Sequence, residues 1–218
     1  CMPHYYKITN GHGQGAEIIM RGEAECMQGH FSDAEIELAR AYSEIEGNGQ
    51  ENMALCCDFL SHRLFLCTGS APQHSLEQRR QSLMLHHNST WLNIWSGICA
   101  YYYALLGMSE KIPDLFRDHA LSSVNFLAPG KPMMELIENQ VYLAQGDYAR
   151  VIGQSKRLLG VCAGMNYCLV ALHITIQTAA AYEMLGKHDE SFALLKEAVS
   201  IAMPDDLMLP FAENYSYI

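Results

Sequence analysis

The chain has 218 residues, half of them apolar, only 17% charged, with a formal net charge of −10. That balance argues against direct binding to nucleic acid, whose phosphates demand clustered Lys and Arg, and no basic stripe occurs. No run approaches the roughly 18–20 uncharged apolar residues that span a bilayer, and no charged-then-apolar leader is visible, so a cytoplasmic chain with no membrane partner is expected. The first residue is Cys1 rather than Met, which suggests a piece of a longer polypeptide.

Residues 1–15 (CMPHYYKITNGHGQG) read as a lead-in loop, because their glycines oppose a helix. GHGQG has neither a preceding strand nor a following G-K-[ST], so it is not a phosphate loop. A helical hairpin is expected from Ala16 to Glu46, turning at Gly29. Its second helix opens on Ser32-Asp33-Ala34-Glu35, an S-x-x-E capping box, and Gly47-Asn48-Gly49 closes it.

A second hairpin pairs Met53–Cys67 with a weaker helix from Ser75 to about Leu85, followed by a His86-His87-Asn88-Ser89 connector. Adjacent histidines on a helix do not face one another, and no carboxylate or thiol stands at ligand spacing, so no metal is expected. The third unit opens on the most aromatic stretch, WLNIWSGICAYYYALLG. Trp91, Trp95 and Tyr102 share one helix face there, either as core between hairpins or as a stacking platform for a sugar or peptide. Its second helix is expected to contain Pro113, tolerated in a first turn, before the sharp break at LAPGKP (127–132).

The fourth hairpin pairs Met133–Gln145 with Tyr148–Leu159, and the fifth pairs Asn166–Leu185 with Asp189–Met203. In the fifth, Asp189 caps the second helix and Phe192, Leu195, Val199 and Ala202 form its apolar face. Residues 204–218 read as an exit segment toward a C-terminal module absent from this chain. Strand signals are nearly absent.

The turn glycines Gly29, Gly69, Gly107, Gly146 and Gly186 are separated by 40, 38, 39 and 40 residues, a near-constant period that marks a solenoid. Each sits where a left-handed residue ends a helix. Seven residues before each stands Gly22, His62, Ala100, Asn139 or Ala179, mostly small, as close helix crossing requires. The expected fold is all-α: a right-handed α-α superhelix of about five hairpins over residues 16–203.

Eight cysteines (1, 26, 56, 57, 67, 99, 162 and 168) include no C-x-x-C pair. Cys26, Cys56, Cys57, Cys67 and Cys99 fall inside predicted helices among apolar neighbours, as free buried thiols do. A reducing compartment follows. The hydrolase, metallopeptidase, deaminase, Walker and dinucleotide signatures are all missing, so neither an enzyme nor a cofactor is expected.

Five such hairpins resemble tetratricopeptide (TPR) repeats, although the usual period of that family is 34. The phrase LGKHDESFALLKEAVSIAMPDDLMLPFAEN resembles the last repeat of MalT-like, large LuxR-type bacterial transcription regulators. It carries Glu197-Ala198, Pro204-Asp205 and Pro210-Phe211-Ala212-Glu213 where that family has EA, PD and PF-x-E. The resemblance implies a sensor region that binds an inducer or partner protein and conveys its occupancy to flanking nucleotide-binding and helix-turn-helix modules, neither of which is in this chain. A TPR adaptor that holds a peptide, unrelated to transcription, is the alternative. TPR domains commonly contact ligands in a concave groove from positions six residues before the turn glycine. Here these are Glu23, Arg63, Tyr101 and Gln140, with Ala180 as the fifth.

Overall fold

The computed structural model describes residues 7, 13–45, 49–87, 89–126 and 130–218. Among these the chain is entirely helical, with eleven α-helices, three short 3-10 turns and no strand. Most of the lead-in, Cys1, residues 46–48, Asn88 and residues 127–129 lie outside the described residues, and the expectations placed on them are not addressed further.

Two compact units divide the chain, residues 1–95 and 96–218. The first holds α1 (Ala16–Met27), α2 (Phe31–Ile45), α3 (Glu51–Thr68) and α4 (Leu76–Leu85). The division falls inside α5 (Ser89–Leu105), so the first unit also takes the start of that helix. Helices α1, α2 and α3 pack pairwise. Where α1 crosses, a Cβ on Gly22 would stand 3.0 Å from Leu60 Cδ2 and 3.5 Å from the Ala34 carbonyl, so the absence of a side chain sets this approach. The residues just before α1 are tied in by Gln50, whose Oε1 accepts from Gly13 N at 2.6 Å.

The second unit takes the rest of α5, then α6 (Asp114–Arg117), α7 (Lys131–Gln145), α8 (Tyr148–Met165), α9 (Cys168–Met184), α10 (His188–Ala202) and α11 (Leu209–Ala212). Successive helices α7 to α10 pack on one another, and α7 also meets α9. Helix α9 is almost wholly enclosed, from Leu172 to Ala181. Its near-continuous apolar and small run is what a helix covered on several sides requires.

All five turn glycines adopt left-handed backbone, with φ between 68° and 83°. At Gly186 an added Cβ would meet nothing within 4 Å. Its requirement for glycine is therefore conformational, not steric crowding by neighbours.

The expected second helix of the third hairpin is broken. After Gly107 the chain makes a 3-10 turn at Ser109–Lys111, the four-residue α6, and another 3-10 turn at Leu121–Ser123. Pro113 explains the break: it donates no backbone N–H, and it drives Ile112 to extended backbone (φ −67°, ψ 128°). The segment stays anchored because Ile112 and Phe116 are fully buried.

Helix capping also differs from expectation. Helix α2 already begins at Phe31, so Ser32 lies within its first turn and cannot cap it. The capping box forms instead at Ser75, which accepts from Gln78 N at 3.1 Å while Gln78 Oε1 accepts from Ser75 N at 2.9 Å. Asp189 is likewise inside the first turn of α10, beyond its N-cap Lys187. It complements the helix dipole there.

Of the expected apolar face of α10, Ala202 is buried and Leu195 half-buried, but Phe192 and Val199 are not part of the core. Phe192 is 70% exposed and Val199 is exposed, whereas Ser191, Ala198 and Ala202 are buried. Both faces of this helix carry apolar residues, so spacing alone does not select one. The small residues win because α10 lies close against α9, where Ala198 and Ala202 pack on Leu172 and Ile176. Residues 203–218 fold back onto the second unit, with Phe211, Tyr217 and Ile218 against its apolar clusters.

Candidate functional site

The row six residues before each turn glycine is mostly enclosed. Arg63, Tyr101, Gln140 and Ala180 are all buried, and Glu23 is half-buried. In the first unit, burial raises the Glu23 carboxyl above its ordinary value, and the Arg63 guanidinium only partly offsets this. Arg63 lies over the Phe59 ring, 5.3 Å from its centroid, and its Nη2 stands 3.7 Å from Met27 Sδ.

In the second unit, Tyr101 donates its hydroxyl to Glu213 Oε2 at 2.7 Å. His173 Nδ1 approaches the same carboxylate oxygen at 3.9 Å. Gln140 is joined to α9 through Gln177, whose Nε2 donates to Gln140 Oε1 at 2.9 Å and to the Leu136 carbonyl at 3.2 Å. Arg63, Tyr101 and Gln140 therefore each touch a neighbouring helix or segment of their own unit.

Trp91, Trp95, Tyr102 and Tyr103 of α5 are half-buried, whereas Tyr101 is buried. Trp95 donates its indole N–H to the Leu76 carbonyl at 2.8 Å, and Arg80 stands 5.9 Å from the centroid of its ring. Tyr102 tilts against Tyr103, with 5.3 Å between ring centroids. Trp91 lies one turn before Trp95 on the same helix.

A cavity of about 430 Å³ in the first unit is lined by Tyr42, Gln50, Glu51, His74, Arg79 and His86, among others. Its wall is built on Asp58, which is buried in the middle of α3. Arg79 clamps the Asp58 carboxylate through two nitrogens, Nε to Oδ2 at 2.5 Å and Nη2 to Oδ1 at 3.1 Å. Tyr42 donates to Asp58 Oδ1 at 2.8 Å. Burial, and after it the Asp58 charge, holds the Tyr42 hydroxyl above its ordinary value, so it remains a donor.

The Asp58 backbone carbonyl accepts from His62 Nδ1 at 2.8 Å. At the rim His86 Nδ1 contacts Glu51 Oε1 at 2.5 Å, and His74 meets the edge of Tyr42. The Arg79 charge is balanced by Asp58 and His86 is held by Glu51. The cavity thus presents hydrogen-bond donors and acceptors whose positions are set by these contacts.

Sequence reasoning passed over this cluster, although Asp58 carries a signal. It is a lone acid in the apolar run ALCCDFL, where an unpartnered charge would be costly to bury. Its partner Arg79 is one of two adjacent arginines, and only the fold distinguishes Arg79, on Asp58, from Arg80, which reaches Glu77.

Cys26, Cys57, Cys99 and Cys162 are buried thiols, and burial foremost pushes Cys57 up to about 12. Cys56 and Cys67, expected inside, are exposed, as is Cys168. Among the described residues no three His, Cys, Asp or Glu side chains converge as a metal ion requires. None of the described helices is long and apolar enough to cross a membrane.

Comparison with protein-family models, with curated proteins and with solved structures returns no match.

Proposed function

We propose that this chain is a TPR-like helical-repeat sensor domain of a large LuxR-type transcriptional regulator, without catalytic activity of its own. The supporting observation is the recurrence of left-handed glycine at all five turns with a spacing of 38–40 residues. The packing of alternate helices, α1 with α3 and α7 with α9, fits a hairpin array. The finer assignment to the regulator family rests on the closing phrase of the sequence. Its Glu213 is used structurally, as the acceptor for Tyr101.

In this reading the inducer is a polar organic molecule, neutral or zwitterionic, held in the cavity beside Arg79. The wall supplies hydrogen-bonding groups in fixed orientations, and the Arg79 charge is already matched by Asp58, which suits a polar guest that does not depend on that guanidinium for charge pairing. Ligand occupancy alters the regulator only if the ligand prefers one of its arrangements.

Two observations test the proposal. The coding sequence on either side of the chain is expected to carry a nucleotide-binding module and a helix-turn-helix; if both are missing, the peptide-holding adaptor is favoured instead. In the full-length protein, Ser82→Phe, which places a ring in the cavity that Ser82 also lines, should abolish inducer-dependent transcription while DNA binding persists. Unchanged induction in that variant would remove the cavity from the proposal.

A further inference from the structure

Helix α10 carries a second apolar stripe beside the one that packs on α9. Phe192, Leu195, Val199 and Met203 recur at i, i+3, i+7 and i+11, and Met203 keeps helical backbone (φ −54°, ψ −41°). At helical spacing these four positions share one face. Phe192 is 70% exposed and Met203 69%, Val199 is exposed, and Leu195 is half-buried. The stripe runs about 16 Å along the axis, at a rise of about 1.5 Å per residue.

At its C-terminal end the stripe opens into an apolar groove of about 280 Å³. Val199, Ala202, Met203, Leu207, Met208 and Phe211 line it, and Asp206 is its one charged lining residue. Asp206 caps the 3-10 turn Met203–Asp205 in left-handed backbone (φ 53°). Contiguous apolar surface left open to water marks a place where another molecule docks.

The charges along the stripe select what can cover it. Asp189 flanks its N-terminal end, Lys196 its middle, and Asp206 its C-terminal end; all three are exposed. None of them forms an ion pair with another described residue. Neighbouring charges are engaged elsewhere: His188 contacts Glu183 at 2.7 Å, and Lys187 stands 5.6 Å from the centroid of the Tyr182 ring. Glu190 and Glu197 lie about 140–160° round the helix from Phe192, at about 100° per residue, and so face away. The order along the stripe is therefore anion, cation, anion. A second copy laid antiparallel would set Asp189 against Asp206 at both ends, with the two Lys196 side chains close together near the centre. Laid parallel, it would set each charge against its own kind. Like charges meet either way, which opposes self-pairing through this face.

We propose that this face docks an amphipathic helix of another protein, with an apolar seam flanked in the order cation, anion, cation. The seam covers Phe192, Val199 and Met203, and one large apolar side chain enters the groove beside Met208 and Phe211. The end cations of the partner meet Asp189 and Asp206, and its central carboxylate meets Lys196. Apolar burial supplies most of the affinity, while the charges fix direction, register and choice of partner. The surface belongs to the second unit alone, and the proposal does not depend on the regulator reading.

The test is a fluorescence-anisotropy titration of the whole chain against a labelled amphipathic peptide about four helical turns long. Its seam is leucine, with arginine in the first and last turns and glutamate beside the seam at the centre. A control peptide keeps the leucines and exchanges the charges, glutamate at the ends and arginine at the centre. Saturable binding of the first peptide is expected, with the control weaker by about tenfold or more. The difference should shrink in high salt, because exposed charges are screened. Phe192→Ala and Met208→Ala, both at exposed positions, should each weaken the first peptide by about fivefold or more with circular dichroism unchanged. Asp206→Asn, which keeps left-handed backbone accessible, and Lys196→Glu should each narrow the preference between the peptides. Equal binding of the two peptides, full affinity in Phe192→Ala, or no saturation by the first peptide would overturn the proposal. So would a dimer of the chain in sedimentation that Phe192→Ala dissolves, since it would give this face to a second copy.

Discussion

Tyr101 on α5 and Glu213 just beyond α11 lie 112 residues apart in sequence and share a hydrogen bond of 2.7 Å. The Tyr101 ring is buried and the Glu213 side chain is 5% exposed. This contact fastens the folded-back last segment of the chain to the helix that opens the second unit. Tyr101→Phe removes the hydroxyl and leaves the carboxylate short of a donor, so it should cost about 1.5–3 kcal/mol in urea unfolding. A cost below ~0.5 kcal/mol would mean that solvent satisfies Glu213 equally well.

Burial separates two phenylalanines that look alike in sequence. Phe192→Ala, on the exposed side of α10, should change stability by no more than about 0.5 kcal/mol. Phe116→Ala, in the fully buried anchor of the broken third hairpin, should cost about 3–5 kcal/mol. The reverse ranking in denaturant titrations would place α10 in the wrong rotation about its axis.

The turn glycines should be intolerant for backbone reasons alone. Gly186→Ala adds a methyl into open space, yet φ of 71° should make it cost about 1 kcal/mol or more. Gly186→Asn should cost clearly less, because Asn enters left-handed backbone more readily, as Asn166 does here at φ 57°. Equal losses for Ala and Asn would point to crowding instead.

Breaking the ion pair beneath the first cavity should be severe. Arg79→Ala strands a carboxylate that is only 2% exposed and should cost on the order of 3 kcal/mol. Replacing Arg79 and Asp58 together with Met and Leu should recover most of that loss, since an apolar pair leaves no buried charge. Failure of the double variant to exceed Arg79→Ala in thermal midpoint would show that the network matters for more than charge pairing.

His62 and His119 predict an acid limb of the stability curve. Burial foremost lowers the pKa of each below the ordinary histidine value of 6.5, so the folded state holds fewer protons than the unfolded chain. The stability they contribute is complete above 6.5 and is lost as pH falls below that value toward their lowered folded pKa. Thermal midpoints measured downward from pH 7 should therefore drop beginning near 6.5, and His62→Gln should flatten part of that drop. An unchanged midpoint down to pH 5 would mean that both rings ionise freely in the folded protein.

Local chemistry was the part legible in the sequence. The period of the glycines located all five turns, because left-handed backbone excludes most other residues whatever surrounds them. The paucity of strand signals gave the all-helical class for the described residues. Pro113 was visible too, but its effect was misjudged: with Ile112 buried in extended backbone, it ends the 3-10 turn instead of opening a long helix.

Which face of a helix turned inward was a different matter, and so were the sites. Helix α10 carries apolar residues around much of its circumference, and only close packing against α9 chose Ala198 and Ala202 over Phe192 and Val199. The partners of Asp58, Glu213 and His119 lie 21, 112 and 26 residues away, in Arg79, Tyr101 and Gln145. Sequence by itself determined where the backbone must turn, since that depends on one residue's allowed φ and ψ. Tertiary structure decided which polar groups meet and which stay unpartnered, since that depends on distances set by the packing of whole helices.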